Sequence, residues 1–195
     1  MCSLGEKYII ATGSYLKDDK MHETTERYDL MRERWSELPS LTTGRSFHSS
    51  CTFEIRYAFV FCGLRHETHQ VEEKEDGGLT IIKEVQSWKV TNTIERLDCD
   101  NTYQGWSQVE IAQPCHLTAR RFPGVVQWDA EEIIILGGMS DKQLRARYFF
   151  NVFQGTIRRE TAHASDPQIC PRNRPVIFGV NQKLIAIDFT EPLIY

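Results

Sequence analysis

Short apolar runs recur along the chain, each closed by glycine. Tyr8-Ile9-Ile10-Ala11-Thr12-Gly13 is the first, Tyr57-Ala58-Phe59-Val60-Phe61-Cys62-Gly63 the second, and Ile133-Ile134-Ile135-Leu136-Gly137-Gly138 the third. They are too short for helices, rich in β-branched and aromatic residues, and nearly continuous in apolar character. That pattern predicts strands buried on both faces. Ser46–Phe53 is followed by Tyr57–Cys62 across Glu54-Ile55-Arg56, and Phe122–Trp128 by Ile133–Leu136 across Asp129-Ala130-Glu131-Glu132, both hairpin-length gaps. The predicted strands are 7–13, 25–30 and 34–38; then 46–54, 57–63, 87–99 and 106–110; then 122–128, 132–137, 147–153 and 156–160; then 174–180, 183–188 and 192–195.

Other features keep step with the apolar runs. Arg27-Tyr28-Asp29-Leu30 precedes Trp35-Ser36, and Arg96-Leu97-Asp98-Cys99 precedes Trp106-Ser107. An arginine stands before the next run in Arg45-Ser46-Phe47-His48 and in Arg120-Arg121-Phe122-Pro123-Gly124. Gly13 and Gly63 are 50 residues apart, and Gly63 and Gly138 are 75 apart. Most of the excess lies in residues 64–84, a polar, acidic stretch holding Gly77-Gly78 that reads as an inserted loop. Without it the period is near 50.

The ordered set of strand, glycine pair, Tyr-Asp, Trp and Arg resembles kelch repeats. It departs from them in having one true diglycine, Gly137-Gly138, and no tryptophan in the third copy, where Arg147-Tyr148-Phe149-Phe150-Asn151 stands near the Tyr-Asp position. The resemblance implies an all-β fold, an incomplete kelch-type β-propeller with blades of four antiparallel strands at about 7–38, 46–110, 122–160 and 174–195. One amphipathic sheet cannot bury both faces alone, so such sheets stack on one another. Trp35 and Trp106 are expected between neighbouring sheets, each ring able to bury ~150–250 Å². The chain reads as opening on the second strand of a blade and ending near a third. A fragment of a longer propeller, a small or open assembly, or completion by another chain all follow from that reading.

In this topology the loops between second and third strands share one face with the loops between sheets. That face holds the longest segments, and such loops are where binding concentrates. It also gathers Arg45, Arg65, Arg120, Arg121, Arg145 and Arg172. Clustered guanidinium groups suit an acidic or phosphorylated peptide through bidentate contacts. Arg45 and Arg121 have a second reading as braces between blades, and His48 reads as a satisfied edge histidine. His66-Glu67-Thr68-His69 falls short of the H-E-x-x-H metal motif, so no metal is expected. Glu72-Glu73-Lys74-Glu75-Asp76 reads as a solvated tip.

Composition narrows the function classes. The chain has 195 residues and a net charge of −4, which argues against general attraction to nucleic acid or an anionic membrane surface. No apolar run approaches the roughly 20 residues of a membrane-spanning helix. No secretory leader is visible, and the scattered cysteines (Cys2, Cys51, Cys62, Cys99, Cys115 and Cys170) read as reduced thiols of a cytoplasmic protein. Phosphate-loop, dinucleotide and nucleophile-elbow motifs are missing. The expectation is a non-catalytic scaffold that binds a protein or peptide through the long-loop face, with no cofactor. The resemblance also implies two alternatives: a propeller enzyme acting on a small sugar-like molecule, and the substrate-recognition part of a ubiquitin ligase whose adaptor lies outside this chain.

Overall fold

The computed structural model describes residues 1–15, 21–74, 80–112, 117–141, 144, 146–160, 175–180 and 183–188. Three four-stranded antiparallel sheets and a two-stranded hairpin follow one another, and within each of them every strand pairs with its neighbour in sequence. The first sheet is β1 (Cys2–Leu4), β2 (Tyr8–Tyr15), β3 (Met21–Asp29) and β4 (Arg34–Leu38). The second is β5 (Ser49–Phe53), β6 (Tyr57–Lys74), β7 (Thr80–Asp98) and β8 (Ser107–Gln108). The third is β9 (Gly124–Gln127), β10 (Glu132–Leu136), β11 (Arg147–Asn151) and β12 (Thr156–Glu160). The hairpin is β13 (Pro175–Val180) with β14 (Lys183–Asp188). Among the described residues there is no α-helix, and no helix is long and apolar enough to cross a membrane.

Alternation along each strand puts successive side chains on opposite faces, and the apolar layers follow. Leu4, Ile10 and Leu41 meet Ala58, Val60, Leu97 and Trp106 between the first and second sheets. Phe53, Phe59, Phe61 and Ile94 meet Ile133, Ile135, Tyr148 and Phe150 between the second and third. Phe150 sits edge-on to both Phe59 and Phe61, with ring centroids 5.8 and 6.1 Å away. Ile134, Leu136 and Phe149 of the third sheet pack with Ile177 of the hairpin. Each Leu-, Ile- or Phe-sized side chain fully buried in these layers stabilises by about 1.5–3 kcal/mol.

The sheets are equivalent position by position. Tyr8, Tyr57 and Glu132 face Asp29, Asp98 and Asn151 in their respective ladders. The acid or amide at that point turns the chain into the fourth strand. Asp29 accepts from the backbone N–H groups of Met31 and Arg32, Asp98 from Asp100, and Asn151 from Phe153 and Gln154. Asn151 is thus the third copy's counterpart of the motif aspartate, and Ile157, opposite Phe150, takes the place of its tryptophan. Five residues after the start of each second strand stands a residue with positive φ: Gly13 (58°), Cys62 (61°) and Gly137 (63°).

Three expectations are corrected. The chain does not open on a second strand, because Cys2–Leu4 pairs with Tyr8–Ile10; three residues with one leucine were too short a run to register as a strand. The loop expected at 64–84 is instead the extension of β6 and β7 into a paired arm, from Gly63↔Thr91 out to Lys74↔Thr80. Its polar composition hid it, since cross-strand ion pairs such as Lys89–Glu67, 2.9 Å apart, replace apolar contacts on an arm exposed on both faces. Trp106 is 6 % exposed as expected of a core residue, but Trp35 is 49 % exposed and rests against Tyr28, because no sheet among the described residues covers that side. Residues 192–195 lie outside the described residues.

Candidate functional site

The six arginines assigned to the long-loop face separate into distinct environments. Arg45 is 2 % exposed and Arg120 0 %, so both belong to the interior. Arg45 donates from Nη1 to the Cys62 carbonyl at 2.9 Å and from Nη2 to the Glu95 carboxylate, whose other oxygen accepts the Thr42 N–H at 2.7 Å. Arg120 donates from Nη1 to the Gly137 carbonyl at 2.8 Å and from Nε to Thr118 at 2.9 Å, and lies over the Tyr148 ring. Cys62 and Gly137 are the equivalent positive-φ positions, so the two arginines do the same job: they tie the chain entering a sheet to the kink of its second strand. Burial draws both guanidinium pKa values down, and at Arg45 the Glu95 charge opposes that shift. The brace anticipated at Arg45 and Arg121 therefore stands at Arg45 and Arg120.

Arg121 is one residue further on, and its neighbours explain its difference. Its backbone bridges Met139, as the backbone of Ser46 bridges Leu64. The residue after each, Phe47 and Phe122, has positive φ of 53° and 55°, a conformation that costs a bulky side chain on the order of 1–3 kcal/mol. The Phe122 N–H donates to the Phe47 carbonyl, and the two rings lie 4.7 Å apart. Strained backbone held this way accumulates at binding sites. Here it turns two aromatic rings together at the top of the second and third sheets.

Beside them is an open cleft of about 550 Å³ lined by Phe47, Leu64, Trp88, Val90, Arg121, Ser140 and Asp141. Its volume is within the range of ordinary ligand clefts. Leu64 and Val90 are paired at the root of the arm, and His66 and Trp88 are the next pair on the same face. The Trp88 ring is 42 % exposed and 4.0 Å from the His66 ring, centroid to centroid. Among the described residues the Arg121 guanidinium makes no hydrogen bond or ion pair, and its Nε is shielded from water without a partner. Among the described residues an apolar wall, the uncommitted Arg121 guanidinium, the Ser140 hydroxyl and the Asp141 carboxylate converge there. Such a surface can seat an apolar side chain next to a carboxylate.

Arg65 is on the opposite face of the arm, engaged with Glu67 at 2.7 Å. Arg145 and Arg172 lie outside the described residues. The structure thus brings Arg121 alone, of the arginines described, into the cleft. Sequence reasoning missed Phe47, Trp88, Ser140 and Asp141. The signal that could have found Trp88 was a large aromatic residue in an otherwise polar hairpin strand.

Other chemistry is dispersed. His66 and His69 stand three apart on one strand, so their side chains leave opposite faces and cannot converge on one ion. Among the described residues no three His, Cys, Asp or Glu side chains are grouped as a metal site. Cys2, Cys51, Cys62 and Cys99 are free thiols, and burial pushes the Cys62 thiol up to about 12.

His48 faces away from this chemistry, its Nε2 2.9 Å from the Thr12 hydroxyl oxygen. Burial of the ring, with the Arg45 charge nearby, pushes its pKa from 6.5 down to about 3. The folded protein keeps this imidazole neutral while the unfolded chain accepts a proton, so stability is lost as pH falls from 6.5 towards about 3. The slope approaches about 1.4 kcal/mol per pH unit. Urea unfolding midpoints at steps between neutrality and about pH 5, above most carboxylate titration, should fall for the native chain and stay nearly level for His48→Asn.

No protein-family model matches this chain, and no curated protein matches its sequence.

Proposed function

We propose that this chain is a non-catalytic interaction module of kelch type, a segment of a β-propeller that binds a peptide or protein loop across the cleft at the root of the arm. The uncommitted Arg121 guanidinium, in a cleft walled by Phe47 and Trp88, carries this reading. An acidic side chain of the partner pairs with Arg121, and a neighbouring apolar side chain lies on Trp88 and Phe47. The kelch reading is supported by the equivalent positive-φ kinks, the turn-forming Asp29, Asp98 and Asn151, and the paired braces Arg45 and Arg120. The rigid sheets hold the cleft in a fixed shape, which lowers the ordering cost of binding.

A random-peptide display selection against the native chain, counter-selected with Arg121→Ala, tests this reading. Sequences pairing Asp or Glu with an aromatic or aliphatic residue should be enriched and should bind the variant about 10- to 150-fold more weakly, the worth of one charged hydrogen bond of ~1.5–3 kcal/mol. The variant's melting temperature should move by no more than about 2 °C, as for a surface change of ~0.5 kcal/mol. Equal enrichment on both proteins, or a large melting shift in the variant, contradicts the assignment.

A further inference from the structure

The sheets meet by one repeated arrangement. The face of the first sheet bearing Ile10 covers Ala58, Val60, Leu97 and Trp106 of the second. The face of the second bearing Phe59 covers Ile133, Ile135 and Phe150 of the third, with Ile157 packed alongside. In the ladders Ala58 is opposite Leu97, and Ile133 opposite Phe150, as Ile9 is opposite Tyr28. Tyr28 is in turn opposite Trp35. Ile9, Ala11, Tyr28 and Trp35 are therefore the first sheet's version of the surface that a preceding sheet covers in both later cases. At the other end of the stack, Ile177 of β13 is buried against the third sheet, and its neighbour Val176, on the opposite face by strand alternation, is 41 % exposed. Among the described residues, one end of the stack presents the surface that is covered in the later sheets, and the other presents Val176 on the outer face of β13.

We infer that a second copy of this chain docks head to tail, its β13–β14 hairpin lying over Ile9, Ala11, Tyr28 and Trp35 of the first copy. The contact continues the order in which every sheet covers its successor. Charge selects this arrangement over a face-to-face pair. Glu26 and Glu37, opposite each other and exposed, share the face of Ala11. A symmetric pair would bring two such acidic faces together, and like charges brought together oppose association. The head-to-tail contact is heterologous, so each copy of a dimer keeps one face free for a further copy.

Sedimentation over a rising concentration series tests this with Trp35→Glu and Val176→Glu. Both residues are substantially exposed, and melting curves serve as the check on folding; Ala11→Lys gives a second disruption of the first-sheet face. The native chain should grow in mass with concentration, and each variant alone should stay near the 22.7 kDa of one chain. Mixing Trp35→Glu with Val176→Glu should restore a discrete dimer, because each partner keeps the face the other lacks. A native chain that remains monomeric at its highest soluble concentration overturns the inference. So does a Val176→Glu protein that dimerises as well as the native chain, since that would mark face-to-face pairing.

Discussion

Replacing Arg45 with alanine will cost about 3–5 kcal/mol of stability, the range for removing one partner of a buried ion pair. At ~2–4 °C per kcal/mol for a chain of this size, the melting temperature should fall by about 6–20 °C. The loss has two physical parts. Glu95, 0 % exposed, is left with the Thr42 N–H as its one remaining hydrogen-bond partner among the described residues, and the Cys62 carbonyl at the kink loses its Nη1 donor. The double variant Arg45→Leu with Glu95→Leu should recover much of the loss, because removing both charges avoids the unpaired carboxylate. Thermal unfolding of the single and double variants measures this. A single variant that melts with the native protein would show that Arg45 is not a brace.

Gly63→Ala should destabilise by about 2–5 kcal/mol, combining backbone strain with overpacking. Gly63 has φ of +104°, and a Cβ there would lie 2.7 Å from the Ser46 carbonyl oxygen and 2.9 Å from the His48 Cβ. Ser46 cannot retreat, since its backbone exchanges hydrogen bonds of 2.9 and 2.8 Å with Leu64. Gly5→Ala is the control. Its φ is +60°, but its added Cβ meets the flexible side chain of Ile55 at 3.2 Å, so a cost of only ~1–2 kcal/mol is expected. Chemical denaturation of the two variants should separate them clearly, and equal losses would contradict close packing at the second-sheet kink.

The strands that build the interior were legible because burial on two faces leaves an unmistakable mark. Phe59-Val60-Phe61 and Ile133-Ile134-Ile135 feed opposite layers with alternate residues, so no polar residue interrupts them. Features that do not depend on burial were harder to read. β1 contributes few side chains to the core, and the arm is held by its own ladder and surface ion pairs, which a polar loop would resemble in composition. Trp35 shows another limit: its sequence context matches that of Trp106, yet exposure depends on what covers a face, which a local motif does not encode. The arginines show a third. Arg120 and Arg121 are adjacent, and only the ladder register, aligning Ser46 with Arg121 at the two bridges, reveals that Arg120 is the counterpart of Arg45 and that Arg121 faces the cleft.

The cleft is most directly tested through the four tryptophan side chains, one of which lines it. In an NMR titration of the ¹⁵N-labelled chain with a peptide recovered by selection, each indole N–H reports on a different place. Trp106 lies between the first two sheets, Trp128 packs beside the third, Trp35 stands on the outer face of the first, and Trp88 lines the cleft. Peptide docking at the cleft requires the Trp88 indole signal and the backbone signals of Phe47, Arg121 and Ser140 to move together, while the other three indoles stay in place. Movement of Trp35 or Trp128 with Trp88 unchanged would place the binding surface elsewhere and contradict the assignment.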